Sequence, residues 1–395
     1  MRLLSSDHKL CELAQQFMAD ENITQRSYKF RIYPSRAQTT RMNGMLALLC
    51  ELYNAGLQER RDAYRVERKS IRYIDQQNQL PEIKEIRPEL KEIHSQILQD
   101  VLRRLDTAFQ SFFRRVKERA GCAGFPRFRS RHRYNSFTYT QSGFTIRSGK
   151  LQLSKIGQVK IKLHRPVEGK IKTLTITRST TGKWYASLSV EMEAQPLPAT
   201  DTAIGIDVGL THFATLSTGE KINNPRFFRL EEKRLSNAGR KLSATPKGSI
   251  LRRKHRKIVA SIHERITNKR RNFAHHESRK LVNKFGLIAL ENLNIEGMVK
   301  NHTLAKSISD AAWNQFVQYV TYKAAWAGRR VVLVDPRNTS QQCSACGAIV
   351  PKDLSERIHH CSCGLTLDRD HNAALNILAL GLQCVGLRAI EAALL

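Results

Sequence analysis

The chain has 395 residues, 41% of them hydrophobic, which suits two or three packed domains. Its 66 Lys and Arg against 35 Asp and Glu leave a formal charge of +31, a self-repelling excess that points to a polyanionic partner. Nucleic acid fits, with a membrane surface as the rival polyanion, and no run nears 18 continuous apolar residues, which excludes a spanning helix.

Residues 1–26 read as an extension with no assigned function. Met1 to Asp20 carry no apolar core with a small-residue cleavage site, so no secretion signal is expected. SYKFRIY, ending at Tyr33, alternates like a half-buried strand, and Pro34 stops it. From Ser35 to about Ala120 the period is helical. Met42, Met45, Leu46, Leu49 and Leu52 form one apolar stripe. Ile97, Leu98, Val101, Leu102, Leu105, Phe109, Phe112 and Phe113 form another, and both are expected in a core. The opposite face is basic: residues 101–135 hold 10 basic and 2 acidic side chains. GCAGFPRFRSRHRYNSFTY (121–139) interleaves Gly, Pro, aromatics and Arg. That mix can grip a phosphate backbone and stack on bases, with Arg127, Arg129 and Arg131 as candidate contacts.

Residues 144–193 read as strands throughout: FTIRSGKLQL, GQVKIKL, IKTLTITRS and KWYASLSVEME. They suggest an antiparallel barrel or sheet whose first strand is the one before Pro34, with the helical segment inserted. AQPLPATD (194–201) is a Pro-bearing linker and a boundary. Beyond it, TAIGIDVG and HFATLSTG look like a hairpin. A helical stretch follows with 18 basic and 4 acidic residues over 226–280, and Arg252, Arg253, Lys254, Arg256 and Lys257 are candidate phosphate contacts. Then come a buried-type strand (LIALEN), a helix over 304–327, a strand (RVVLVD), a cysteine cluster and a last helix starting near Asp370.

Cys11, Cys50, Cys122 and Cys384 are scattered, but Cys343, Cys346, Cys361 and Cys363 cluster within 21 positions. Clustered thiols without an export signal read as metal ligands in a reducing compartment. Two knuckles, each beside a glycine (Gly347, Gly364), can set four thiolates around a structural Zn2+ with no open position. The second knuckle is C-x-C, tighter than C-x-x-C, so His360 is a possible substitute for one thiolate.

Four acids lie at element ends. Asp207 closes the apolar strand in GIDVG, Glu291 ends LIAL, and Asp368 and Asp370 open the last helix in DRDHNAALNIL. An acid after a run of buried apolar residues is costly unless a cation pairs with it. Converging carboxylates suit Mg2+ or Mn2+, and two such ions can drive phosphodiester hydrolysis. The alternative is separate structural roles: Asp207 in a turn, Glu291 in a surface pair, Asp370 as an N-cap.

GIDVGLTHFAT, LIALENL, SISDAAWNQF, TSQQCSACG and CGLTLDRDHNAALNIL, with YKFRIYPSRAQ, LYNAGL, LDTAFQSFFRRVK and GFPRFRSR upstream, resemble the TnpB (OrfB) family of transposon proteins related to type V CRISPR effectors. The likeness covers roughly residues 27–380. It implies a multidomain α+β fold: a split β-barrel wedge domain (27–35 and 121–200), an inserted helical recognition domain (36–120), an RNase H-like RuvC nuclease domain (201–338 and 364–395) and an inserted zinc ribbon (339–363). Residues 1–26 stay outside it.

The resemblance also implies an RNA-guided DNA endonuclease, Mg-dependent, cutting target DNA beside a short flanking motif. Its catalytic acids fall on Asp207, Glu291 and Asp370, with Asp368 as the alternative for the third, and its zinc ligands on Cys343, Cys346, Cys361 and Cys363. Tyr73, Gln99 and Thr138 are candidate contacts to the flanking motif. Its cofactors would be Mg2+ or Mn2+, structural Zn2+ and a guide RNA. Its partners would be the guide RNA and target double-stranded DNA in the prokaryotic cytoplasm, at the nucleoid. Three other readings stay open: an RNA-guided repressor that binds without cutting, an RNA-independent structure-specific nuclease, and a transposase.

Overall fold

The structure, a computed structural model, describes residues 23–118, 123–353 and 356–386. Residues 1–22 of the extension, Cys11, Arg119, Cys122 and the tail from 387 lie outside the described residues. The chain forms two compact units, Ile23–Glu193 and the residues from Ala194 onward.

The first unit opens with β1 (Ile23–Tyr33). Tyr28, Phe30 and Ile32 alternate inward and are buried. The strand begins four residues earlier than SYKFRIY, so residues 23–26 belong to the sheet and not to the extension. The last strand of the unit offers partners that far up, with Ile23 facing Glu193. After Pro34, Ser35 caps α1 (Arg36–Glu67): its side chain accepts from the Gln38 N–H, and Gln38 reaches back to the Ser35 N–H. Two short helices, α2 (Tyr73–Asn78) and α3 (Leu80–Ile86), and a 3-10 turn (Pro88–Glu92) lead to α4 (Ser95–Lys117).

Met42, Met45, Leu46 and Leu49 of α1 and Ile97, Leu98, Val101 and Leu105 of α4 share a core with β1. The α4 stripe leaves that core after Phe109. Phe113 is 58% exposed, against expectation. Phe109 and Phe112 instead pack edge-on against Phe125, at 5.5 and 5.3 Å.

Six more strands follow: β2 (Ser136–Tyr139), β3 (Phe144–Arg147), β4 (Lys150–Leu153), β5 (Gly157–Lys162), β6 (Lys170–Arg178) and β7 (Trp184–Glu193). The seven-stranded order is β2-β6-β7-β1-β5-β4-β3, antiparallel wherever strands pair. Only the short loop 140–143 joins the two edge strands, β2 and β3, so the sheet is a near-barrel without a closing ladder.

The second unit runs β8 (Ala203–Val208), β9 (His212–Leu216), β10 (Lys221–Asn223), α5 (Phe227–Ala244), α6 (Ile250–Lys284), β11 (Leu287–Glu291), α7 (Ile295–Met298), α8 (Ala305–Ala311), α9 (Trp313–Trp326), β12 (Arg330–Val334), β13 (Ile358–His360), β14 (Thr366–Asp368) and α10 (Arg369–Cys384). The five-stranded order is β10-β9-β8-β11-β12. The expected hairpin is present as β8 and β9, while β8, β11 and β12 run parallel. Parallel neighbours need crossovers, which the helices supply. Along β11, Ile288 and Leu290 face one core with Phe213, Leu281 and Phe316. Leu287 and Ala289 face the other with Ile377 and Leu382 of α10. The sheet is therefore covered on both sides, which explains its nearly continuous apolar strands.

The helix expected over 304–327 is broken. Ala312 sits at φ 56°, a left-handed state uncommon for a residue with a Cβ. The turn there leaves Asp310 of α8 accepting from Arg270 Nη2 at 2.7 Å and from the Phe228 N–H at 2.9 Å. It also sends Trp313, Phe316 and Val320 of α9 into the core.

Helix α10 lies almost directly on the sheet because Gly205 lets it. A Cβ on Gly205 would stand 2.1 Å from the Ala374 carbonyl oxygen and 2.6 Å from the Leu378 nitrogen. Gly205→Ala is expected to push the helix off and to cost about 1–3 kcal/mol or more, read as a lowered unfolding midpoint in urea. An unchanged midpoint would refute this packing.

Candidate active site and metal centre

The parallel strands β8 and β11 end at the same edge of the sheet. Asp207 is the fifth residue of β8 and Glu291 the last of β11. The buried residues before each, Ile204 to Ile206 and Leu287 to Leu290, anchor the strands. Asp370 stands in the first turn of α10. The N-cap of that helix is Asp368, not Asp370. Asp368 Oδ1 accepts from the Asp370 and His371 N–H groups at 3.1 Å each, and Oδ2 pairs with Lys221 at 2.8 Å. Although partial burial works against it, Lys221 and the backbone donors hold the Asp368 carboxyl below its ordinary value. Asp368 is thus spent on structure, and the Asp370 side chain is released from that duty.

Asp207 is pushed well above the ordinary carboxylate range. Burial is the main cause, followed by the charges of Glu291, Asp370 and Asp368, and Arg369 opposes them. Glu291 is raised by burial, and its hydrogen bond from Thr339 opposes the rise. Asp207 therefore lies within reach of the charges of Glu291 and Asp370, and Arg369 does not offset them. Hard carboxylate oxygens in that predicament fit divalent cations such as Mg2+ or Mn2+. Glu291 is no surface pair: its bond is to the Thr339 hydroxyl at 2.6 Å.

The four clustered cysteines come together. Their sulfurs all lie within 4.8 Å of one another. Cys343 and Cys363 are 3.7 Å apart, and Cys346 and Cys361 are 3.5 Å apart. A tetrahedral Zn2+ with bonds of about 2.3 Å needs sulfur separations of roughly 3.8 Å, so the set fits. The two knuckles are variants of one turn. In the first, the Gly347 N–H donates to the Cys343 carbonyl at 2.9 Å, and in the second the Gly364 N–H donates to the Cys361 carbonyl at 3.0 Å. The C-x-C knuckle is simply one residue shorter, and both glycines have positive φ (78° and 92°). His360, a possible fourth ligand on spacing, stands outside the group and bonds Thr366 Oγ1 at 3.1 Å. The Cys363 N–H and the Cys346 thiol draw the Cys361 thiol down to about 6. Crowding by the other thiols pushes Cys346 up to about 12, although the Ala348 N–H opposes it.

The remaining candidates are spread more widely. In the first unit Tyr73 and Gln99 are half-buried, and Arg103 lies 5.5 Å over the Tyr73 ring. Thr138 is buried, and its hydroxyl is shared with Arg104 Nη2 at 2.6 Å and Thr175 at 2.9 Å. Arg127, Arg129 and Arg131 are exposed. Arg127 and Arg129 line a groove of about 700 Å³ with Phe125, Phe128 and Tyr53, and Arg131 pairs with Glu51 at 2.6 Å. In the second unit Arg253, Lys254, Arg256 and Lys257 are exposed on α6. Arg252 is instead engaged with the carbonyls of Leu242 and Thr245 at the α5–α6 turn.

Sequence reasoning missed three side chains beside the acids: Thr339, Asn372 and Asn376. The last two are amides four residues apart on an apolar helix, a polar signal that was readable. Asn372 Nδ2 donates to the Gln342 carbonyl at 2.7 Å, and its Oδ1 accepts from the Ser344 N–H at 3.0 Å. Asn376 Nδ2 donates to Thr339 O at 2.8 Å and Gln342 O at 2.7 Å.

Three family profiles match the chain: "Probable transposase" over residues 187–302, "Cas12f1-like, TNB domain" over 313–377 and "Helix-turn-helix domain" over 18–69. The described part of the last stretch folds as β1 and one unbroken helix, α1. The chain is 39% identical over 365 residues to a "Putative RNA-guided DNA endonuclease" of Streptomyces pristinaespiralis, covering 90% of this chain and 89% of that one. It is 29% identical to "Putative RNA-guided DNA endonuclease InsQ" of Escherichia coli K12, covering 90% and 92%. Among solved structures it resembles one titled "Cryo-EM structure of the Cas12f1-sgRNA-target DNA complex". The TM-score is 0.58 at 13% identity, over 90% of this chain and 99% of that one, a likeness of fold alone.

Proposed function

This chain belongs to the TnpB (OrfB) family, and from that premise we propose that it is an RNA-guided, divalent-metal-dependent DNA endonuclease. The observation that carries the reading is the placement of Asp207 and Glu291 at the same end of the parallel strands β8 and β11, with Asp370 in the first turn of α10 near enough for its charge to bear on Asp207. The mixed sheet, with an antiparallel β10-β9-β8 half and a parallel β8-β11-β12 half, supports an RNase H-like, RuvC-type core. The thiolate group supports a structural zinc ribbon at 339–363. Among the described residues the thiolates are the one metal-ligating group gathered within 4.8 Å.

Asp207, Glu291 and Asp370 would hold Mg2+ or Mn2+. Such ions supply water activation and charge neutralisation at the leaving oxygen. The chain's own part is placement: two strand ends and a helix start aim three carboxylates at one phosphodiester. Sequence specificity would come from pairing of a guide RNA with the target strand, and the protein would read the flanking motif, the division of labour of Cas9-type effectors. Tyr73 and Gln99 are candidates for that motif. Thr138 would act through Arg104, since its hydroxyl is already engaged.

The test is cleavage of matched double-stranded DNA by the protein purified with co-expressed RNA. Mg2+-dependent cutting that needs the RNA and a flanking motif is the expected result. RNA-independent cutting of branched DNA would favour a structure-specific nuclease, and tight binding without cutting would favour a repressor.

The basic face of α6 carries its own expectation. Changing Arg253, Lys254, Arg256 and Lys257 together to Gln should weaken nucleic-acid binding regardless of sequence. The slope of log affinity against log salt should fall by roughly 0.7–0.9 for each phosphate no longer neutralised. An unchanged slope would mean that other cations neutralise the backbone.

A further inference from the structure

Glu291 is held by a residue from the chain that leads into the cysteine group. β12 ends at Val334, and the Asn292 N–H donates to the Val334 carbonyl at 2.9 Å, one residue past Glu291. From there residues 335–342 turn back across the strand ends. The Gln341 and Gln342 N–H groups donate to the Asn338 carbonyl at 3.0 and 2.8 Å. Thr339, 4% exposed, lies in that turn. Its single hydroxyl proton has two acceptors in reach, Glu291 Oε1 at 2.6 Å and Pro336 O at 3.1 Å. The shorter, charge-assisted contact takes it.

The turn is clamped from both sides. Asn372 and Asn376 of α10, the helix that carries Asp370, bind Thr339 O, Gln342 O and the Ser344 N–H. Cys343 lies between the last two of these and has a buried sulfur-bearing side chain. The same few residues therefore touch Glu291, the helix of Asp370 and the first zinc knuckle.

We propose that Thr339 is a positioning residue that fixes the Glu291 carboxylate for divalent-ion binding, and that the zinc knuckle holds Thr339 in place through the Asn372–Asn376 clamp. The cysteine group then acts at a distance as a strut of the acid site. With one Glu291 oxygen pinned by the hydroxyl, the other is presented in a fixed direction. A carboxylate free to rotate would have to be ordered when the ion arrives. Loss of an outer hydrogen bond of this kind typically costs 10–100-fold in metal affinity.

This inference rests on the endonuclease reading for its purpose, but its test does not need cleavage. Mn2+ binding to the full chain, freed of nucleic acid, is followed by electron paramagnetic resonance in four proteins: the unaltered chain, Asp207→Asn, Thr339→Val and Thr339→Ser. Thr339→Val keeps the shape and removes the hydroxyl. Its Mn2+ affinity is expected to fall about 10–100-fold, Thr339→Ser to stay within about twofold of the unaltered chain, and zinc content to be the same in all. Equal Mn2+ affinity in the unaltered chain and Thr339→Val overturns the proposal, as does failure of Ser to restore it. If Asp207→Asn lowers Mn2+ affinity and Thr339→Val does not, the acid site stands and only the strut falls. If Asp207→Asn changes nothing, the acid-site reading itself falls.

Discussion

Asp207→Asn is expected to abolish DNA cleavage and to make the protein more stable. Asp207 is half-buried near the end of β8, within reach of the charges of Glu291, Asp370 and Asp368. Asn keeps the shape but cannot carry the charge that ions require. A loss of at least about 10³-fold corresponds to roughly 4 kcal/mol of transition-state stabilisation. The stability change follows from the direction of the Asp207 shift. Its folded-state value is raised, so the fold retains a proton that the unfolded chain releases near pH 3.9. That contribution is fully present below the unfolded value and is lost as pH rises through the folded one. At neutral pH the native chain bears strain that Asn removes. The melting temperature without divalent ions should rise by about 2–4 °C, the worth of roughly 1 kcal/mol at this size. The gain should shrink towards pH 4, and Mg2+ should close it by stabilising the unaltered protein. Cleavage at the unaltered rate by the Asn variant would end the catalytic assignment, and a lower melting temperature would contradict the electrostatic one.

Cys361→Ser should be the most damaging change to structure. The Cys363 N–H and the Cys346 thiol draw the Cys361 thiol down, the direction a zinc ligand needs. Structural zinc sites carry apparent binding energies of about 10–16 kcal/mol, as much as a whole domain's net stability. Few buried apolar side chains lie between Cys343 and Asp368, so little else would hold that stretch. Zinc content measured by mass spectrometry is expected to drop from about one per chain to near zero. Limited proteolysis should then open sites between Gly347 and Thr366, while the near-barrel unit stays resistant. A variant that keeps its full zinc complement, or whose proteolysis is unchanged, would remove the ribbon from its assigned role.

Much of this architecture could be read along the chain, because its signals are local. The Ser35–Gln38 capping box, the alternation through Phe30 and Ile32, and the apolar runs before Asp207 and Glu291 each act over a few residues. The knuckle spacing belongs with them, since both turns close on their own glycine. What escaped was set by tertiary contact. The break at Ala312 answers to Asp310 meeting Arg270 forty residues away. Phe113 continues a helical stripe but outlasts the sheet beneath it. Arg252 looks like its basic neighbours, yet carbonyls of the preceding turn claim it. Asp368 and Asp370 were nearly equivalent as residues, and only the helix start separates a cap from a free carboxylate.

The near-barrel sets a schedule for biosynthesis. β1 leaves the ribosome well before its long antiparallel partner β7, whose paired residues lie about 150–170 positions downstream. At translation speeds of about 5–20 residues per second, the strand waits roughly 10–30 s for its mate. Until β3, β4 and β5 emerge, its inward row of Tyr28, Phe30 and Ile32 has no sheet to enter, and most of its length stays unpaired until β7 arrives; an unpaired apolar strand is a template for wrong association. The helices α1 and α4 emerge in the meantime and pack in the same core. They are placed to shelter that row as a nascent-chain escort until the sheet can close over it.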